Sequence, residues 1–302
     1  MRVAATQLLL AQGDVEGNCE RAIRLVRLAA RERAEVVVLP EFFTSGVAID
    51  DGMLAVPRLN REARVLERLR AEARGLGIII SGSMLCIRDA DVYNSMVVVH
   101  PDGSTFVHDK DLPTQFENAY YAPGDERRTD GAFALALCWE LLRRKTVAEI
   151  GPSASLVLAG SCWWSLPVGT SNQELDEYND ELNASTPAAF AAAAGLPVVH
   201  ASLVGRIRTR RSLARDEVVE RRLVGTTQIV DRYGRVVASI RDKGSDDLIV
   251  EDVELAPRGS RRDPGAGFWL ATMRDEYLRA WETEGRLGRE LYDVNRARML
   301  GT

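Results

Sequence analysis

Cys138 ends a short apolar run, Ala132 to Leu137, and a charged stretch, Trp139 to Arg144, follows it at once. That pattern predicts a buried strand turning sharply into a helix, with the thiol at the bend. Unpaired N–H groups and the positive end of a helix dipole favour thiolate there, and thiolate is the nucleophilic form. Two more reactive residues also follow predicted strands. Glu41 comes after Val36–Leu39, and Lys110 closes Thr105–Asp109. Together the three supply the parts of acyl transfer. A thiol attacks a carbonyl or nitrile carbon, and a carboxylate carries its proton to the leaving nitrogen. An ammonium, with a backbone N–H, steadies the oxyanion. Taken singly, each has a plainer reading: a packed core thiol, a loop cap, and a charge that keeps a hairpin edge from aggregating. The arginine excess gives the lysine weight. Of 39 basic residues 36 are arginine, leaving Lys110, Lys145 and Lys243, so a lysine marks a place where a compact ammonium is wanted.

The elements that must position these groups alternate. A strand at 2–9, a helix from Gly17-Asn18 to about Arg33 and a strand at 35–39 come first. A helix at 61–74, a strand at 78–83, and a hairpin of 92–100 with 104–109 around Pro101-Asp102-Gly103 follow. The order then repeats: strand 132–138, helix 140–150, strand 154–160, helix 185–194, strand 197–203 and a hairpin of 225–230 with 235–240. This predicts a layered α/β protein of two helix-covered sheets, whose functional groups gather beyond the carboxyl ends of the strands. Residues 1–256 carry the pattern. Residues 257–302 form an extension, with a loop at 258–267 and amphipathic helix over 271–300.

The ordered set Pro40-Glu41-Phe42, Lys110-Asp111-Leu112-Pro113 and Leu137-Cys138-Trp139-Glu140 resembles the nitrilase superfamily of carbon–nitrogen hydrolases. The resemblance runs from Arg2 to about Val253. It takes in Ala4-Ala5-Thr6-Gln7, Tyr93-Asn94-Ser95, Glu117 through Gly124, Ala194 to Val199 and the Gly225–Gly234 hairpin. It implies a four-layer αββα sandwich of two mixed sheets with helices outside. It implies Cys138 as nucleophile, Glu41 as base, Lys110 as oxyanion stabiliser and Glu117 as a positioning glutamate, with no metal or organic cofactor. Trp139, whose N–H would join the oxyanion donors, Trp163, Tyr120 and Phe42 are the expected substrate-binding residues. Assembly into a homodimer or larger homo-oligomer is implied too, with the helical extension at a subunit interface. The implied reaction is hydrolysis of a small amide or carbamoyl compound. Cys138-Trp139-Glu140 resembles the wording of nitrilases, which keeps a nitrile substrate as the alternative.

Composition sets the outer bounds. The 302 residues are 46% hydrophobic and 27% charged, an ordinary globular balance. A net charge of -5 argues against nucleic acid, and no apolar stretch reaches the ~20 residues of a membrane span. No N-terminal signal pattern is present, so a cytoplasmic enzyme is expected. The four cysteines show no CxxC pair and the three histidines no HxH or HxxxH, so neither a disulfide framework nor a metal site is expected. Rival readings are a Cys162 nucleophile, a cysteine–histidine pair using His108 or His200, and a scaffold that keeps the fold without activity. Trp163 and Trp164 suit either a substrate clasp or a dimer interface. The stretch Arg206–Arg222 reads as a solvated face or as a dock for an anionic substrate.

Overall fold

A computed structural model describes every residue except Glu126, Arg261 and Thr302, so one position of the predicted 258–267 loop lies outside the described residues. The first half of the chain runs β1 (Arg2–Leu9), α1 (Val15–Arg31), β2 (Val36–Val38), α2 (Val56–Glu62), α3 (Val65–Leu76), β3 (Ile79–Arg88), β4 (Asp91–Val99) and β5 (Thr105–Asp109). The second runs β6 (Thr129–Asp130), β7 (Phe133–Leu137), α4 (Arg144–Glu149), β8 (Leu156–Ser161), β9 (Trp164–Pro167), α5 (Gln173–Ala194), β10 (Val198–Ser212), β11 (Arg215–Val224), β12 (Gln228–Val230), β13 (Val236–Ser239) and β14 (Asp247–Asp252). One long helix, α6 (Asp275–Leu300), ends it.

Side-chain alternation in the central strands builds the four layers. Val3, Ala5, Val36 and Val38 from one half meet Leu135, Leu137, Leu158 and Val199 from the other in a shared apolar layer. Ala4, Leu8 and Val37 point the opposite way, into a core under α1 and α3. Ala134, Ala136, Val157 and Val198 likewise point out, toward α4 and α5. Strands buried on both faces read as continuous apolar runs, as these do. The small Ala134, Ala136 and Ala159 leave room for the alanine-rich end of α5.

The halves are one hydrogen-bonded sheet folded on itself, in the order β5-β4-β3-β2-β1-β10-β8-β7-β6. The join is the parallel pairing of Gln7–Leu9 in β1 with Ser202–Val204 in β10. The expected layering is therefore present, with its two sheets continuous through that seam. No helix among the described residues is long and apolar enough to cross a membrane. The extension after 257 packs against its own chain: α6 lies across the 3₁₀ turn Gln115–Ala119. There Asn295 donates to the Ala119 carbonyl at 2.9 Å, and Tyr292 hydrogen-bonds Asp91.

Candidate active site

Four strand ends converge: β2 runs into Glu41, β5 into Lys110, β7 into Cys138 and β8 into Cys162. Gly160, near the end of β8, lies directly against the Pro40-Glu41 backbone of the other half. A Cβ at that position would lie 2.7 Å from the Glu41 nitrogen and 3.0 Å from the Pro40 carbonyl carbon, so any larger residue forces the halves apart. That approach lets the Cys162 N–H donate to Glu41 Oε2 at 3.0 Å.

Lys110 sits between two carboxylates, with Nζ 2.9 Å from Glu41 Oε1 and 2.8 Å from Glu117 Oε2, in a fully buried cluster. Asn94 donates to Glu41 Oε1 at 3.0 Å. Glu117 also accepts the Thr114 N–H at 2.8 Å and the Tyr121 hydroxyl. One ammonium against two carboxylates leaves the cluster short of positive charge, and the pKa shifts follow. Burial, with the neighbouring Glu117 charge, pushes the Glu41 carboxyl up to about 7 although Lys110 pulls it down. Burial works against the Lys110 ammonium, yet Glu117 and Glu41 outweigh it and hold its pKa well above the usual value. Burial and then the Glu41 charge push the Cys138 thiol well above its ordinary value.

That last direction reverses the expectation of a helix-stabilised thiolate. No α-helix begins at Cys138. Cys138–Leu142 is a single 3₁₀ turn, and α4 spans only Arg144–Glu149. The turn is held by buried ion pairs instead. Glu140 accepts the Leu137 N–H at 2.7 Å and the Asp111 N–H at 3.1 Å, and it pairs with His108 at 3.0 Å. Arg143 grips Asp111 through both Nη atoms, at 2.9 and 2.5 Å, and Arg128 reaches Asp111 at 3.2 Å. Burial would raise the Glu140 carboxyl, but His108, Arg128 and Arg143 hold it well below the usual carboxylate range. Cys138 itself has φ +48°, in the left-handed region that costs a non-glycine residue about 1–2 kcal/mol. Phe42 beside Glu41 (φ +50°) and Gln115 near Glu117 (φ +51°) share this strain. Clustered strain of this kind marks sites whose surroundings over-determine the backbone.

Cys138, Glu117, Trp139 and Trp163 help to line a cavity of about 430 Å³, and Glu41 and Lys110 stand behind Glu117, outside its lining. Phe42 and Tyr120, expected at the substrate, do not line it. Phe42 is wholly buried in the core, and the Tyr120 hydroxyl donates to the Asp50 carbonyl at 3.3 Å. Trp139 packs against its own chain, with Trp281 of α6 stacked on it at 5.5 Å between ring centroids. Cys162 also lines the cavity, but what it gives Glu41 is its backbone N–H. Neither histidine of the rival pairing reaches the cavity. His108 faces Glu140, while His200 lies between Ser161 and the Thr226 carbonyl, where burial brings its pKa down to about 4. Sequence reasoning missed the roles of Asn94 and Tyr121 on the two glutamates. Both stand in stretches that carried the family resemblance, but nothing in their types marks them.

Residues 2–263 match the sequence pattern of the carbon-nitrogen hydrolase family. Among relatives, the glutamine-dependent NAD(+) synthetase of Thermotoga maritima is 32% identical over 42% of this chain, a match spanning 22% of that protein's length. The N-carbamoylputrescine amidase of Arabidopsis thaliana is 24% identical over 84% of this chain and 87% of its own. An arylacetonitrilase of Hypocrea virens is 28% identical over 49% of this chain and 52% of its own. Of solved structures, a carbon-nitrogen hydrolase from Helicobacter pylori G27 superposes with a TM-score of 0.70 at 19% identity, covering 84% of this chain and 90% of that one. An amidase from Nesterenkonia sp. AN1, with acrylamide added at its active site cysteine, superposes at 0.64 and 18% identity, covering 84% and 93%.

Proposed function

Because this chain belongs to the carbon-nitrogen hydrolase family, we propose that it hydrolyses the non-peptide carbon–nitrogen bond of a small amide or carbamoyl compound through a thioester on Cys138. The observation that carries this reading is the buried Glu41–Lys110–Glu117 cluster, which meets the cavity lined by Cys138 through Glu117. The raised thiol and the Glu41 carboxyl near neutrality suit each other: the resting pair is thiol and carboxylate, and the proton moves only as the sulfur attacks. Glu41 takes that proton while the carbonyl oxygen gains charge beside Lys110 and the Trp139 N–H. Glu41 then protonates the nitrogen, and ammonia or an amine leaves. Water next attacks the thioester, Glu41 accepts its proton, and the acid departs as the thiol reforms. Glu117 positions the Lys110 ammonium throughout.

A nitrile enters the same chemistry by thiol attack, and the arylacetonitrilase likeness keeps it as the second reading. The structure weakens one argument for it: Glu140 of the nitrilase-like wording is fully buried among His108, Arg128 and Arg143, so it reports packing and not substrate. The test is ammonia release from small amides, carbamoyl acids and nitriles by wild type and Cys138→Ala. Turnover of an amide or carbamoyl compound that falls by roughly a thousandfold or more in the variant supports the proposal. Turnover of nitriles alone selects the second reading. Silence across the panel, with Cys138 inert to a mild alkylating agent, favours a scaffold.

A further inference from the structure

The basic stretch Arg206–Arg222 folds as the β10–β11 hairpin, and most of its arginines are matched or solvated. Arg206 pairs with Glu220, Arg210 lies 3.3 Å from Asp51, Arg211 2.6 Å from Glu217 and Arg222 3.0 Å from Asp176. Arg208 and Arg215 are exposed. Arg221 is different. Among the described residues no carboxylate pairs with it. Nη1 donates to the Ser165 carbonyl at 2.8 Å, Nη2 to the Arg211 carbonyl at 3.3 Å, and the buried Nε has no acceptor. The acids whose charge reaches it are engaged elsewhere. Asp176 accepts the Leu166 N–H at 2.8 Å and pairs with Arg222, and Glu284 accepts the Leu213 N–H at 2.9 Å. Burial, helped by the Arg211 charge, brings the Arg221 guanidinium down to about 10.

Arg221 also lines the cavity that holds Cys138. Its guanidinium carbon lies 5.3 Å from the Trp164 ring centroid, and Trp164 stacks on Phe116 at 4.4 Å. The ladder to β9 fixes it from behind, with Arg221 opposite Pro167 and Leu223 opposite Trp164. A half-buried cation without a counter-charge is unfavourable until an anion arrives, and a planar fork held on an aromatic face suits a carboxylate. Glu276 and Glu284 also line the cavity and penalise a second negative charge, which favours a monoanion over a dianion such as phosphate.

We propose that the substrate carries a carboxylate remote from the scissile carbon–nitrogen bond, and that Arg221 receives it while the apolar spacer lies along Phe116 and Trp164. This rests on the hydrolase reading above and names its substrate class: monoamides or carbamoyl derivatives of small acids. The test compares monoamides of four- and five-carbon dicarboxylic acids with amides bearing methyl in place of the carboxylate, and with the phosphonate analogues. Wild type is expected to favour the carboxylate partner by roughly ten- to hundredfold in kcat/KM, mostly through KM. Arg221→Gln is expected to shrink that preference at least tenfold, and Arg221→Lys to restore part of it. Binding of the same compounds to Cys138→Ala, followed by calorimetry, separates the two levels. Selective binding without turnover in wild type leaves the Arg221 site standing and removes the hydrolase. Hydrolysis of the neutral amides with no preference for the carboxylate overturns the Arg221 assignment, as does a phosphonate preference. Binding of none of these probes overturns it too. If Arg221→Gln does not fold, the matched pairs on wild type decide alone.

Discussion

At the scale of single residues, the proton on Glu41 controls the proposed chemistry. With its carboxyl near 7, Glu41 is largely protonated below neutrality and cannot accept the thiol proton. Lys110 is held cationic well past that range, so it adds no limb at moderate alkaline pH. The expected kcat/KM profile for an amide therefore rises about tenfold per pH unit up to neutrality and then levels. Glu41→Gln removes that limb along with at least ~100-fold of the rate. A limb near pH 4.5, the ordinary glutamate value, would mean that the base is solvated in the working enzyme. That Cys138, Glu41 and Lys110 come together was legible because reactive types stood at predicted strand ends, a correlation that topology enforces. The charges around them were not. The helical composition of Trp139-Glu140-Leu141-Leu142-Arg143-Arg144 predicts a helix start after Cys138. Yet Glu140 and Arg143 are buried with tertiary partners, Asp111, His108 and Arg128, that lie outside this segment. Phe42 and Tyr120, expected at the substrate, are instead buried away from the cavity.

At the scale of elements, helix placement explains why some parts of the fold were harder to read. α5 begins at Gln173, twelve residues before the start expected from its apolar face. Its first turns are polar, and they are helical because Asn172 caps the Leu175 N–H at 3.1 Å and Asp176 is held by Leu166 and Arg222. Periodicity cannot report a turn stabilised by caps and cross-element pairs. α6 bears on the site through its glycines. A Cβ on Gly288 would stand 2.7 Å from Asn118 Cβ and 2.9 Å from the Ala119 nitrogen, in the same turn that carries Glu117. Gly288→Val is thus expected to lift α6 off that turn, cost about 1–3 kcal/mol in chemical denaturation and slow Cys138 alkylation. Gly285→Ala, whose Cβ would make ordinary contacts with Arg289 Nη1, Asn118 Nδ2 and the Gln115 carbonyl at 3.4, 3.5 and 4.0 Å, serves as the tolerated control. Equal behaviour of the two variants would show that the contact between α6 and the Glu117 turn does not govern the site.

At the scale of the whole molecule, residues 1–256 and the extension after 257 divide the labour unevenly. The layer between the sheet halves draws on strands of the first 253 residues, and of α6 only Met299 is buried within the adjoining core. The cavity depends on α6 much more: Glu276, Tyr277, Arg279, Ala280, Thr283 and Glu284 line it. Trp269 and Trp281 pack around Trp139, next in sequence to the proposed nucleophile. A chain ended at Arg274 is therefore expected to keep a cooperative unfolding transition, because the folded sheet, the layer between its halves and the core under α4 and α5 remain whole, and the core under α1 and α3 loses only Met299 among its buried residues. Its tryptophan emission should shift to the red as Trp139 loses its stack on Trp281 and meets water. Substrate turnover should fall further than stability does, since one wall of the pocket and the backing of the Glu117 turn leave together. Restoring 275–302 as a separate peptide should recover both signals if the extension acts by docking on a finished sandwich. Loss of cooperative unfolding in the shortened chain would instead make α6 part of the folding unit, and the boundary at 256 would then describe sequence pattern alone.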